Sequence, residues 1–208
     1  GALELCTKAP LTFTRVEPEV RTESQALESF VKAADRPQVL VLATHGFLLR
    51  ASAPLPPPSE VMISLRKFRY TIGDLAPVEF VGDPLVRCGL VFAGANQRDK
   101  ENSPTADDGV LTGLEVLGCD LRGTKLVVLS ACETGLGDVN AGEGVSGLRQ
   151  AFQLAGAESV VASLWKVSDY ESVSLMTKFW ENLAAGQGRA DALRNAQLAF
   201  VKEHRAKE

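Results

Sequence analysis

Four short apolar runs mark the chain at residues 39–43 (VLVLA), 90–94 (LVFAG), 126–131 (LVVLSA) and 159–165 (SVVASLW). Polar Gln38 and Lys125 stand just before the first and third. The runs are rich in Val, Leu and Ala and do not alternate with polar residues, which is the pattern of strands buried on both faces. Helical periodicity lies between and around them. Residues 23–34 place Ala26, Leu27, Phe30 and Val31 on one face, and residues 144–155 do the same with Val145, Leu148, Ala151, Phe152 and Ala155. Residues 171–185 and 189–204 have a similar period. Strands alternating with helices predict parallel pairing through crossover connections. The expected class is α/β, a three-layer α/β/α sandwich around a mostly parallel sheet.

The polar stretches complete this outline. Residues 51–60 (ASAPLPPPSE) hold four prolines, which suits neither a helix interior nor a central strand, so an exposed excursion is expected. Residues 97–108 (QRDKENSPTADD) are charged and poor in apolar side chains, the composition of a mobile loop. Residues 133–144 (ETGLGDVNAGEG) carry four glycines between a predicted strand and a predicted helix. Residues 11–16 (LTFTRV) offer an early strand. No internal repeat or linker divides the chain, and a single domain over residues 1–208 is the simplest organisation.

Composition narrows the class. The chain has 208 residues, 45% apolar and 23% charged, as ordinary soluble globular proteins do. A net charge of −4 and a pI of about 5.4 argue against direct nucleic-acid binding, which needs a dense Lys/Arg surface. No apolar run reaches the roughly 18 residues of a membrane span. The start lacks the basic and apolar regions of a signal peptide and has no Met, so it reads as a piece of something longer. The four cysteines, Cys6, Cys88, Cys119 and Cys132, form no C-x-x-C pair, and there are only two histidines. Neither a zinc site nor another cofactor is expected, and a reducing cytoplasm is the natural compartment. Most of the cysteines should be small buried apolar residues.

In open parallel sheets, chemistry gathers at the carboxyl ends of the strands. The first run ends in Thr44-His45-Gly46 and the third in Ser130-Ala131-Cys132-Glu133-Thr134-Gly135. Together these ends offer a thiol nucleophile and a base, whereas His204 falls on a polar helix near the C-terminus. A thiolate attacks an acyl carbon well, and an imidazole beside it helps to generate the thiolate and then protonates the leaving amine. The N–H groups of Gly46 and Cys132 are the candidate donors to the oxyanion. From residues alone a plainer reading stands beside this one: a core cysteine at a strand end and a histidine in a turn before glycine.

Five segments carry a family resemblance: residues 42–46 (LATHG), 92–96 (FAGAN), 108–112 (DGVLT), 126–135 (LVVLSACETG) and 162–169 (ASLWKVSD). In this order, from about Thr22 to Phe200, the chain resembles the CHAT peptidase family, which belongs with caspases, separases and gingipains. The resemblance implies a caspase-like fold and a cysteine endopeptidase with His45 and Cys132 as its catalytic dyad. It implies that residues 163–167, with Ser163 and Trp165, hold a protein or peptide substrate as an extended strand. Asp169 resembles the acidic S1 residue of separases, which would select Arg or Lys at P1. An ordinary helix cap at Ser168 or Asp169 is the competing assignment, and leaves a small apolar P1 open. CHAT domains commonly sit in bacterial proteins with helical repeats, or act beside them, so a regulatory helical-repeat domain or partner protein is expected. Loops 97–108 and 133–144 are candidates to become ordered on activation, or are plain connections. Two features depart from the family pattern. Only 21 residues precede Thr22, where another strand and helix are usual, and the proline-rich excursion is longer than typical.

Two other classes compete. Residues 142–147 (GEGVSG) match G-x-G-x-x-G before a helix, the fingerprint of a nucleotide-binding turn, although the first glycine comes 11 residues after Ala131. A non-catalytic caspase-like module that only binds partners is the other alternative.

Overall fold

A computed structural model describes residues 17–48, 62–65, 68–71, 84–97, 108–130, 141–163 and 168–205. Its elements, in chain order, are α1 (Glu28–Lys32), β1 (Val39–Leu42), β2 (His45–Leu48), β3 (Met62–Leu65), β4 (Phe68–Thr71), α2 (Pro84–Arg87), β5 (Cys88–Val91), β6 (Val110–Thr112), α3 (Gly113–Val116), β7 (Leu126–Leu129), α4 (Ala141–Leu154), β8 (Val160–Ala162), α5 (Asp169–Ala184) and α6 (Arg189–Arg205). Single 3₁₀ turns stand at Glu23–Gln25 and Ala95–Gln97.

The apolar runs at 39–43, 126–131 and 159–165 form the parallel sheet β1-β7-β8. Val39 pairs with Leu126 and Leu42 with Leu129, while Val127 pairs with Val160. Strand β7 is central and buried along its whole length. Its side chains divide between two layers. Val127 and Leu129 join Leu40 and Leu42 of β1 against Leu148, Ala151 and Phe152 of α4. Leu126 and Val128 join Val39 and Val41 against Met176, Phe179, Trp180 and Leu183 of α5 and Ala192 and Ala196 of α6. Successive strand residues point to opposite faces, so a continuous apolar run serves both helix layers at once. This is the expected α/β/α sandwich. Phe152 and Trp180, almost wholly buried on opposite sides of the sheet, each contribute about 1.5–3 kcal/mol or more through removal from water.

The run at 90–94 departs from expectation. Its strand is β5, which starts earlier, at Cys88, and ends at Val91. It lies antiparallel between β2 and β6 in a second sheet of order β2-β5-β6. A buried apolar run carries no signal of strand direction, and here both neighbours run against it. Cys88, Leu90 and Leu111 of this sheet enter the same core as Leu42, Leu129 and Phe152, so the two sheets share one apolar cluster. A third, two-stranded antiparallel sheet pairs β3 with β4.

The helix expected over 23–34 is also broken. A 3₁₀ turn gives way to α1, only five residues long, and the buried positions are Glu28 and Val31 rather than the whole apolar set. Leu27 and Phe30 remain 40% and 42% exposed. The expected strand at 11–16 and the proline-rich excursion at 51–60 lie outside the described residues.

Candidate active site

The parallel register sets the geometry. Leu42 ends β1 directly opposite Leu129, which ends β7, and the Ser130 N–H donates to the Leu42 carbonyl at 2.9 Å. The chain therefore leaves both strands at the same end and side by side. On the β1 side it turns at Ala43 and Thr44 and enters β2 at His45. His45 is thus the first residue of a second strand, where an extension of the first strand's end was expected. Its register partner is Val91, and Gly46 pairs with Leu90. The Thr44 hydroxyl donates to the Val91 carbonyl and closes the turn onto β5. His45 is exposed while Gly46 is buried. On the β7 side Ser130 is half-buried, and Cys132 follows two residues later, outside the described residues.

A crevice of about 1210 Å³ opens along this edge. Its walls include residues 17–21, Leu27 and Phe30, the whole of β1, Thr44, His45 and the turn 92–96 at the end of β5. It is mainly apolar, with acidic Glu17, Glu19, Glu23 and Asp35 around it. His45 therefore stands in the wall of a cavity large enough for several side chains of an extended ligand.

The other predicted site residues are distributed as follows. Ser163 directly follows β8 and is partly buried, whereas Trp165 lies outside the described residues. Asp169 is the first residue of α5, and Ser168 is its N-cap, with its carbonyl accepting from the Ser172 N–H at 2.9 Å. The glycines of the G-x-G-x-x-G match, Gly142, Gly144 and Gly147, all lie within α4. A nucleotide-binding turn requires them between strand and helix, so that reading loses its geometric basis. The parts of the two candidate activation loops at 98–107 and 133–140 lie outside the described residues. Among the described residues, no group of three or more His, Cys, Asp and Glu could hold a metal ion, and no helix is long and apolar enough to cross a membrane.

Behind the crevice lies a polar cluster that the apolar pattern did not announce. The Glu28 side chain is fully buried on α1 and ion-paired to Lys32 one turn on. Its Oε2 accepts from the Gly109 N–H at 3.0 Å. Lys32 Nζ also reaches Glu115 Oε1 at 3.0 Å. Glu115 Oε2 accepts from the Thr112 N–H at 2.9 Å, in a capping box that starts α3. Burial pushes the Glu28 carboxyl above its ordinary value, against the opposing effect of Lys32 and Gly109. At Glu115 burial acts in the same direction, but hydrogen bonds from Thr112 and Lys32 outweigh it and hold the carboxyl below its usual range. Cys119 packs nearby in the core, and burial pushes its thiol up. Cys88 is likewise buried, with its thiol directed at the Leu85 carbonyl. Both behave as the small apolar residues expected of most cysteines here. Thr44 and Glu28 are the residues that sequence reasoning missed. The Glu28–Lys32 spacing of four was the available signal, since it favours ion pairing on a helix.

A family model described as the CHAT domain matches residues 7–208. It extends beyond the quoted motifs at both ends. No curated protein and no solved structure matches the chain.

Proposed function

The chain belongs to the CHAT domain family, whose members are caspase-like and peptidase-related, and on that premise we propose that it is a cysteine endopeptidase with Cys132 as nucleophile and His45 as proton-transfer partner. One observation supports this most strongly. Strands β1 and β7 are parallel and end in register at Leu42 and Leu129, and each reactive residue follows its strand end by three positions. That register is what a dyad built from two strand ends requires.

In the proposed reaction His45 takes the Cys132 proton, and the sulfur attacks the scissile carbonyl carbon to form a C–S bond. The carbonyl electrons move to oxygen, with the N–H groups of Gly46 and Cys132 as the assigned donors. Collapse breaks the C–N bond, and the His45 imidazolium gives its proton to the leaving amine. A water then adds to the thioester carbon while His45 takes its proton. Loss of the sulfur releases the acid and restores the resting pair. Ser163 and Trp165 are assigned to main-chain recognition of an extended substrate, supported by the position of Ser163 just past β8. Asp169 is assigned to a basic P1 side chain. A regulatory helical-repeat domain or partner protein completes the proposal.

The test is a peptide-library cleavage assay of the wild type against Cys132→Ala. The variant should lose about 10³-fold or more of the activity, as loss of a nucleophile does. A thiol-directed peptide inhibitor should label Cys132. Cleavage that survives the substitution refutes the mechanism. Specific peptide binding by a wild type that is neither labelled nor active identifies a non-catalytic module instead.

A further inference from the structure

We infer that Glu28 is a positioning residue for His45: its buried carboxylate holds the backbone of Gly109, and through it the turn at the end of β5 against which His45 is laid. The inference rests on the reading of His45 as the proton-transfer group.

A fully buried carboxylate is a poor choice for stability alone, because an apolar side chain of similar volume usually serves at least as well. Helix α1, with five residues, is also too short to persist without its contacts. What Glu28 does, and an apolar residue would not, is accept a hydrogen bond. Its partner, the Gly109 N–H at 3.0 Å, belongs to a residue with both polar groups engaged. The Gly109 carbonyl accepts from the Phe92 N–H at 2.7 Å. The Gly109 backbone lies so close to the turn that a Cβ there would stand 2.3 Å from the Ala95 nitrogen. On the other side of the same turn, the Ala93 N–H donates to the Ala26 carbonyl at 2.9 Å, two residues before Glu28.

The turn is thus gripped twice, once by the segment leading into α1 and once by the glycine that Glu28 holds. Val91 immediately precedes this turn. It is the register partner of His45, and its carbonyl receives the Thr44 hydroxyl. A short connected path therefore runs from the Glu28 carboxylate through Gly109, Phe92 and Val91 to His45. Lys32 supports the path by standing between Glu28 and Glu115, so that the buried acceptor faces a cation. Glu28 is not among the residues lining the crevice, so it acts on His45 only through the backbone.

The chain has two histidines, which makes the test direct. In protein labelled with ¹³C-histidine, Glu28→Met should move the ring signals of His45 while those of His204 stay in place. The variant's kcat on a cleaved peptide should fall about tenfold or more, with KM little changed, the signature of a misplaced catalytic group. Glu28→Gln, which keeps an oxygen for Gly109, should restore both. A purely structural role would lower the unfolding midpoint and leave the His45 signals and kcat of the folded protein unchanged, and that result overturns the inference. If Glu28→Met does not fold, Lys32→Met is read in the same way: it removes the facing cation, and unmoved His45 signals again overturn the inference. A wild type that cleaves nothing would refute the proposed function, and the histidine signals would still decide the role of Glu28.

Discussion

Glu28 and Lys32 form an ion pair in which the two partners are buried to different extents, and the difference sets a sign. The Glu28 side chain is 0% exposed, whereas Lys32 keeps 27% of its side chain in water and touches two carboxylates. Burial acts to lower the Lys32 ammonium, but the bonds to Glu28 and Glu115 outweigh it and hold the group well above the ordinary lysine range. For Glu28 burial wins, and the carboxyl lies above its ordinary 4.5. A carboxyl raised by folding contributes stability that is fully present below its unfolded value and is lost as pH rises through its folded value. Glu28→Gln removes that loss. The urea midpoint of the Gln variant, measured against wild type, should therefore gain on it as pH rises from 4 towards 7. A pH-independent difference would contradict the raised carboxyl. The i to i+4 spacing of Glu28 and Lys32 is visible in the sequence. Gly109 is not visible as a partner, because it lies 81 positions away and meets Glu28 only in the folded chain.

Strand direction and strand ends were the least legible features. The runs that became β1, β5, β7 and β8 were all recognisable as strands, although only β5 and β7 are buried throughout, while β8 and most of β1 are half-buried. Whether a run pairs parallel or antiparallel depends on its neighbours, and β2 carried little signal at four residues, HGFL. His45 was therefore expected as a strand-end residue and proved to open a strand paired to β5. The joint between that sheet and the turn after β5 is Gly109, with φ +78° and no room for a Cβ. Gly109→Ala should destabilise by about 2–4 kcal/mol, combining backbone strain with a backbone clash. Gly123→Ala is the control. Its φ is +88°, but a Cβ there meets nothing within 4 Å, so only strain of about 1–2 kcal/mol is expected. Equal losses in urea unfolding would show that the close contact at Ala95 contributes nothing.

The parallel sheet has two faces and each carries its own helix layer, so stability and site geometry share one scaffold. Phe152 belongs to the cluster that holds Leu42 and Leu129 from the two strand ends together with Leu90 and Leu111 from the second sheet. Phe152→Ala should cost about 3–5 kcal/mol, read by chemical denaturation. A loss below about 1 kcal/mol would mean that the two sheets do not share a core. Sequence alone sufficed for the α/β class, the three layers, the four principal strands and the helices α4, α5 and α6. These follow from the period of apolar residues, a local property. It also brought forward His45 and Cys132 as candidates, because few residue types have their chemistry and both follow apolar runs. Folding settled what depends on residues far apart in the chain. That includes the register that ends β1 beside β7, the antiparallel course of β5, the placement of His45 on a second sheet and the burial of Glu28. Each arises because a backbone hydrogen bond or a buried charge must find its partner in space, and the order of residues does not name that partner.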